Sequence, residues 1–329
     1  MRILLTGSSG WLGRFLAPAL RKDGHQVVGL DVAPGPDTNV IGSVADRALV
    51  DRTFAEHEVE AVIHAGALHK PDIARHPAQA FVDVNVTGTL NLLEAAGRAG
   101  HDRFVFTSTT SLMISAAIRA GRAGGASAAA WLDERLAPLE PRNIYGVTKL
   151  AAEQLCRLHH REYGMAVVIL RTARFFPEDD DTHAAPSGPN LKANEFLHRR
   201  LTVEDAASAH LAALEAAPRI GFGTFIISAP PPFARAEAAE LLTDARAVVA
   251  RHFPDAEALY AARGWTLPTE IDRVYDPGLA ERVLGFRCRT DFAAVLEALR
   301  SGDPPPFTHD PAYVSPRAAL DGSSREAQV

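Results

Sequence analysis

The sequence has few cysteines and no long apolar run. Only two of its 329 residues are cysteines, Cys156 and Cys288, and their separation matches no metal-ligand motif. No apolar stretch approaches the roughly 20 residues of a membrane-spanning helix. The first predicted strand begins at the N-terminus without a separate apolar signal segment. We therefore expect a reduced, cytoplasmic protein with no metal centre and no membrane contact.

An excess of positive charge is also missing. The formal net charge is −6, which gives no reason to expect a nucleic acid as partner. Hydrophobic residues make up 47% of the chain and charged residues 22%, an ordinary balance for a globular protein. The length suits one large core, or a core with a smaller lobe.

The most informative motif lies within the first thirteen residues. The apolar run from Ile3 to Leu5 predicts a buried strand, and glycines then recur before a helical pattern begins. Glycines at this spacing allow a tight turn close to phosphates, and a helix start offers unpaired N–H groups. This pattern predicts a dinucleotide pyrophosphate site formed by the turn residues Gly7, Ser9, Gly10, Trp11, Leu12 and Gly13.

An acidic residue ends the second predicted strand, Gln26 to Asp31. A carboxylate there can bind the hydroxyls of an adenosine ribose, and it would repel the 2′-phosphate of NADP. Arg14 argues mildly in the other direction, because an arginine near the turn can bind that phosphate. We expect the cofactor to be NAD. Asp46 has two interpretations, contact with the adenine amino group or the cap of the following helix.

Three further stretches belong to the predicted cofactor site. Ala65, Gly66 and Ala67 follow the third predicted strand, and their small side chains leave room for a cofactor. Asn85 lies inside a long predicted helix, where it must act as a structural bridge or as part of a polar relay. Thr107 ends the fourth predicted strand and begins a run of hydroxyl side chains that continues to Ser111.

Tyr145 and Lys149 are four residues apart in the next predicted helix, so their side chains share one helix face. An ammonium group near a phenol lowers the pKa of the phenol and allows proton exchange near neutral pH. The sequence contains only five tyrosines and four lysines, and the pair follows a hydroxyl cluster at a strand end. A chance occurrence is therefore a weak explanation.

Together these residues resemble the extended short-chain dehydrogenase/reductase superfamily, which includes the NAD-dependent nucleotide-sugar epimerases and dehydratases. The resemblance covers roughly residues 1–300 and includes the glycine motif, Asp31, His64 to Ala67, Asn85 and the Tyr145/Lys149 pair. It implies that Tyr145 is the acid/base and that Lys149 binds the nicotinamide ribose and depresses the pKa of Tyr145. It also implies that Thr109 holds the reacting oxygen and that the protein is a homodimer.

The substrate side departs from the pattern of that superfamily. Leu112, Met113 and Ile114 stand where a Tyr-Gly pair is usual, and no Asp-Glu pair follows Thr109, which argues against the 4,6-dehydratase branch. Arg174 occupies the position of a substrate-binding Asn. It could bind a phosphate or carboxylate, or it could pair with the acids 178–181. His69 and Lys70 either line the substrate pocket or lie on the surface.

We predict an α/β fold, a Rossmann-type doubly wound parallel sheet with a small, mostly helical C-terminal lobe. Residues 1–171 and 201–229 are assigned to the cofactor domain, 172–200 and 230–300 to the substrate lobe, and 301–329 to a disordered or surface-draped tail. The expected function is NAD-dependent oxidoreduction at a hydroxyl or keto carbon of a sugar or nucleotide sugar, in the form of an epimerase with Tyr145 as acid/base. The alternatives are a net dehydrogenase of a sugar, sugar acid or polyol, and a non-catalytic NAD sensor.

Overall fold

The computed structural model describes residues 1–177, 186 and 188–309. Within these residues the strands are β1 (Arg2–Thr6), β2 (Gln26–Asp31), β3 (Val40–Ile41), β4 (Ala61–His64), β5 (Phe104–Thr109), β6 (Ala130–Leu132), β7 (Val167–Thr172), β8 (Phe222–Ile227) and β9 (Arg273–Tyr275). The helices of the first part of the chain are α1 (Trp11–Lys22), α2 (Arg47–His57), α3 (Ala78–Phe81), α4 (Gly88–Arg98), α5 (Ala116–Ala120) and α6 (Ile144–Tyr163). Those that follow are α7 (Gly188–Glu195), α8 (Val203–Ile220), α9 (Ala238–Thr243), α10 (Ala245–His252), α11 (Ala256–Ala261), α12 (Gly278–Leu284) and α13 (Phe292–Ser301).

Seven strands form one parallel sheet in the order β3-β2-β1-β4-β5-β7-β8. The central strands are mostly apolar and become polar at their carboxyl ends, as expected for a sheet covered by helices on both faces with ligands at that edge. The α/β prediction is therefore confirmed. All seven strands present their carboxyl ends at one edge, which is where ligands bind in open parallel sheets.

The period-two alternation of each strand divides the core into two layers. In β1, Ile3 and Leu5 face the cluster that includes α1 and α8, whereas Leu4 faces the cluster formed with α2, α4 and α6. In β5, Phe104 and Phe106 point toward the second cluster and Val105 toward the first. Successive side chains of a strand therefore point to opposite faces of the sheet. In β5, Phe104 and Phe106 are on the face that α6 covers.

The C-terminal lobe has its own apolar cluster, formed largely by α9, α10, α11 and α13. The short strands β6 and β9 pair in parallel and form a separate two-stranded sheet. The segment Arg273–Tyr275 forms β9. β6 pairs with a strand that is distant in sequence, so local sequence patterns give no signal for this pairing.

The segment after α13 packs against the protein as far as His309. The Phe307 ring stacks on Phe196 with centroids 5.8 Å apart, and the His309 ring meets Trp11 edge-on at 6.0 Å. The predicted tail begins at residue 301, but α13 extends through Ser301 and residues 310–329 lie outside the described part of the chain. The division into a cofactor domain and a substrate lobe stays a prediction. In the described residues, no helix has the length and apolar character to cross a membrane.

Candidate active site

The glycine turn between β1 and α1 is closely packed. Gly7 has φ +75°, a left-handed conformation that glycine adopts without strain. A Cβ on Gly13 would lie 2.3 Å from the Gly7 carbonyl oxygen, so only glycine fits there. Gly10 caps α1 without a side-chain hydrogen bond, and the first turn of α1 contains no acid. The N–H groups at the start of α1 therefore suit an anion such as a pyrophosphate.

Asp31 lies beside this turn at the carboxyl end of β2. One carboxylate oxygen accepts a hydrogen bond from Ser9 N at 3.1 Å, and the other accepts from Ala33 N at 3.0 Å. These bonds hold the carboxylate next to the glycine turn, as the ribose-binding prediction requires. With the uncapped start of α1, this arrangement fits NAD.

Of the two roles considered for Asp46, the structure shows the helix cap. Asp46 is the N-cap of α2, and its side chain accepts a hydrogen bond from Leu49 N at 3.0 Å. Its contact with an adenine ring stays a prediction.

Asn85 is a structural bridge to the helix of the Tyr/Lys pair. Its amide oxygen accepts from Leu68 N at 2.8 Å, and its amide nitrogen donates to Leu68 O and Thr148 Oγ1, each at 3.1 Å. Asn85 lies in a π-helical segment, Val82–Thr87, and such segments are common at functional sites. The residue thus joins the loop that follows β4, which includes Ala65, Gly66 and Ala67, to α6.

Two buried histidines bridge the sheet to its neighbours, His64 at the end of β4 and His210 in α8. His64 bonds through Nδ1 to Thr6 Oγ1 at 2.7 Å and through Nε2 to Thr89 Oγ1 at 3.0 Å. His210 bonds through Nε2 to Thr107 Oγ1 at 2.7 Å. Burial lowers the pKa of both rings, that of His210 to about 4. They are therefore neutral bridges at pH 7, and the hydroxyl of Thr107 is used by one of them.

Thr109 and Tyr145 meet at the carboxyl end of β5. Thr109 is close enough to Tyr145 to lower the pKa of its phenol, and Thr109 Oγ1 accepts a hydrogen bond from Ser111 N at 3.1 Å. Asn143 positions the tyrosine because it caps α6, accepting from Gly146 N at 2.9 Å. The structure therefore places two of the three predicted catalytic residues next to each other.

The expected depression of the Tyr145 pKa is not found in the structure. Tyr145 is buried, and burial raises its pKa to about 12; Thr109 acts in the opposite direction and Asp72 raises the pKa further. Lys149 does not contribute to this shift. The physical reason is that desolvation disfavours the charged phenolate more than the hydrogen bond to Thr109 favours it.

Lys149 lies one helical turn beyond Tyr145 and is only 3% exposed. Its ammonium group stands over the Phe106 ring at 4.1 Å from the centroid, a cation–π contact. Burial lowers the pKa of Lys149 to about 7, while Cys156 and Glu153 raise it. The charge of this side chain therefore changes near neutral pH.

His69 connects Tyr145 with a cavity of about 630 Å³. Its ring centroid is 5.8 Å from that of Tyr145 and 5.1 Å from that of Phe176, which lines the cavity. The cavity lies between the start of α1, the residues after β7, the start of α8 and residues 306–309. Its volume is in the usual range for small-molecule sites. Lys70 follows His69 at the start of a short 3₁₀-helix and is half-buried.

Arg174 lies near an acid that the sequence analysis did not consider. Glu195, which is 1% exposed, pairs with Arg200 at 2.6 Å and with Arg199 at 3.0 Å, and Arg174 Nε is 3.8 Å away. The acids 178–181, proposed as alternative partners of Arg174, lie outside the described residues. Arg200 lines the cavity, so this arginine group borders the candidate substrate site.

A sequence profile of the NAD dependent epimerase/dehydratase family matches residues 3–222. The chain belongs to the NAD dependent epimerase/dehydratase family. Its relatives include a UDP-glucose 4-epimerase of Azospirillum brasilense, 32% identical over 52% of this chain and 48% of that protein. A dTDP-glucose 4,6-dehydratase of Streptomyces niveus is 34% identical over 52% of this chain and 53% of that protein. The matched region thus spans about half the length of these curated relatives.

Solved structures share the fold over most of the chain. A UDP-glucuronic acid 4-epimerase from Bacillus cereus, solved in complex with UDP-glucuronic acid and NAD, has a TM-score of 0.63 and 21% identity and covers 92% of this chain and 98% of its own. A short-chain dehydrogenase/reductase superfamily protein from Agrobacterium tumefaciens, solved with bound NAD, has a TM-score of 0.63 and 23% identity over 92% and 96% of the two chains. These similarities support the fold alone, whereas the dependence on NAD agrees with the family to which the chain belongs.

Proposed function

We propose that this protein is an NAD-dependent enzyme that oxidises and reduces a hydroxyl-bearing carbon of a sugar or nucleotide sugar, most simply as a 4-epimerase. The observation that carries the proposal is the proximity of Thr109 to Tyr145, with Lys149 one helical turn away, together with a glycine turn suited to NAD. Family membership and the named epimerase relatives support the same conclusion.

The side chains suit proton transfer at the substrate oxygen. Tyr145 would accept the hydroxyl proton when the carbon is oxidised and return it when the carbonyl is reduced, and Thr109 would hold the oxygen between these steps. NAD, when bound, supplies the acceptor and donor of the hydride. Lys149 would hold the ribose of the cofactor. The Phe106 ring, over which the ammonium group stands, would position it for this contact.

The cavity indicates where a substrate could bind. His69 packs on Phe176 of the cavity wall, and Arg174 shares Glu195 with the wall residue Arg200. From these positions beside the cavity both would contact the substrate, Arg174 through an anionic group. An anionic substrate without a nucleotide would favour the second candidate function, a net dehydrogenase of a sugar acid. Thr110 and Ser111, and not an Asp-Glu pair, directly follow Thr109, and this argues against dehydratase activity although one relative is named for it.

A cofactor and product assay tests the proposal. The purified protein would be denatured, and any released cofactor identified by mass spectrometry. Intact protein would then be given UDP-glucose, UDP-glucuronic acid or free glucuronic acid, while NADH absorbance and sugar configuration are followed. A change of configuration without net NADH indicates an epimerase, and steady NADH release indicates a dehydrogenase. Bound NAD with no turnover of any sugar would contradict the enzymatic proposal and favour an NAD sensor.

Asp31→Asn should relax the preference for NAD over NADP. The substitution removes the negative charge facing the ribose, while an amide oxygen can still accept the bond from Ser9 N. We expect the NADP/NAD ratio of kcat/KM to rise by about tenfold, equivalent to about 1.4 kcal/mol. Asp23→Asn, at the exposed end of α1, is the control and should leave the ratio unchanged. An unchanged ratio in Asp31→Asn would contradict the assigned role.

We also propose a homodimer, as the resemblance implies. Two apolar side chains of α6, Val147 and Leu158, are 48% and 42% exposed and share one face of the helix. A second copy that packs on this face would cover them. The mass in solution, measured by light scattering, checks this expectation, and a monomeric mass would contradict it.

A further inference from the structure

A buried carboxylate lies directly behind the catalytic pair. Glu153 follows Lys149 by one turn of α6 and is 3% exposed. Its Oε1 accepts hydrogen bonds from Ser108 Oγ at 2.6 Å and from Arg171 Nε at 3.0 Å, and its Oε2 accepts from Arg171 Nη2 at 2.7 Å. Three hydrogen bonds on one carboxylate, two of them from the Arg171 guanidinium, fix its position.

Strand register explains why these residues meet. Phe106 and Ser108 share one face of β5, and Ser108 pairs with Arg171 of β7 in the parallel ladder. Both side chains therefore point toward α6, where the four-residue spacing places Glu153 beneath Lys149. The cluster thus joins α6 to two strands at the edge of the sheet that also carries Thr109.

The groups that surround Lys149 come from three elements. Phe106 of β5 lies beneath the ammonium, and His64 of β4 is kept neutral because burial lowers its pKa well below the usual range. On α6, burial raises the pKa of the Cys156 thiol, so this group is also neutral. Of the groups that act on Lys149, Glu153 is therefore the carboxylate, and on its other side it is ion-paired with Arg171 of β7.

We propose that Glu153 is a positioning residue that keeps Lys149 protonated, and that Ser108 and Arg171 regulate how strongly its charge acts on the ammonium. The proposal rests on the role of Lys149 in the proposed function. The proposal adds that the reaction depends on the charge of Glu153, a group that contacts neither substrate nor cofactor. A purely structural carboxylate would tie α6 to the sheet without affecting the protonation of Lys149.

Removal of the Glu153 charge should shift the titration of Lys149 downward. Because the ammonium loses its only anionic neighbour on α6, we expect Glu153→Gln to lower the Lys149 pKa by about one unit from its value near 7. The chain has only four lysines, so ¹⁵N-lysine NMR gives a simple spectrum in which Lys149→Arg identifies the Lys149 signal. Glu162→Gln, the same change at the exposed end of α6, should leave the titration unchanged.

Two further variants keep the test decisive if Glu153→Gln does not fold. Ser108→Ala removes one hydrogen bond from the carboxylate, so its charge acts more strongly on Lys149 and the pKa should rise by a few tenths of a unit, in the direction opposite to Glu153→Gln. Glu153→Asp retains the charge and should restore most of the wild-type titration. A Lys149 titration that is the same in all folded variants would overturn the proposal.

Activity measurements provide an independent check. In Glu153→Gln the alkaline limb of the kcat profile should move to lower pH by the same amount as the Lys149 titration, with little change in the KM for the substrate. A fall in kcat that does not depend on pH would indicate a structural role and overturn the proposal. Because the NMR titration needs no turnover, it remains informative even if the proposed reaction is wrong.

Discussion

Tyr145→Phe is expected to lower kcat by about 10²- to 10⁴-fold, which is the usual contribution of a general acid/base. The phenolic hydroxyl lies near Thr109 at the end of β5, and a phenylalanine ring fills nearly the same volume without a proton to exchange. Cofactor binding should persist, since the glycine turn and Asp31 are unaffected. Steady-state kinetics with the active sugar and titration with NAD measure the two quantities.

Tyr163→Phe is the matched control. Tyr163 ends the same helix, but its side chain is 64% exposed and distant from the strand ends that carry Thr109. We expect its kcat to remain within about twofold of the wild-type value, in line with the small effects of surface substitutions. If Tyr145→Phe retained wild-type activity, the acid/base would have to be another group.

Gly13→Ala should disrupt both cofactor binding and stability. An added Cβ would lie 2.3 Å from Gly7 O and 2.6 Å from Ser8 O, so the backbone of the turn must move away from α1. We expect the free energy of unfolding to fall by about 1–3 kcal/mol, the usual cost of overpacking. NAD affinity should fall by more than about tenfold because the N–H groups at the start of α1 lose their alignment. Urea unfolding and calorimetric titration measure these effects.

Gly97→Ala separates the packing effect from a general effect of replacing glycine. Gly97 lies in α4, and a Cβ there would meet no atom within 4 Å. The free energy of unfolding should rise by about 0.5–1 kcal/mol, because alanine is the better helix former. Equal stability losses in the two variants would show that close packing at Gly13 is not the cause.

Local patterns predicted most of the cofactor half of the fold. The apolar run ending at Thr6, the glycines that follow and Asp31 at the end of β2 are each defined by neighbours in sequence. Tyr145 and Lys149 were predicted for the same reason, since four-residue spacing alone fixes a shared helix face. The long helix predicted around Asn85 continues through a π-helical segment. The hydrogen-bond partners of Asn85, Leu68 and Thr148, were not predictable from the sequence.

The electrostatics of the site could not be predicted because they depend on burial. A Tyr-x-x-x-Lys pair implies a lowered phenol pKa only if the lysine acts more strongly than desolvation, and in this structure it does not. Glu195 was not predicted as part of the site for a similar reason. Nothing in the sequence around it indicates that Arg174, Arg199 and Arg200 lie next to its carboxylate. The pairing of β6 with β9 likewise depends on contacts between distant parts of the chain.

The residues of the proton-transfer site and the residues that line the cavity come from different parts of the chain. Tyr145 comes from α6 and Thr109 from β5, whereas much of the cavity wall comes from residues 175–177, 200–204 and 306–309. Substitutions in these three stretches can therefore change which molecule is accepted while the proton-transfer pair remains intact. A new substrate could arise in this scaffold by remodelling the wall, and for the same reason a well-preserved Tyr/Lys motif carries little information about what the wall selects.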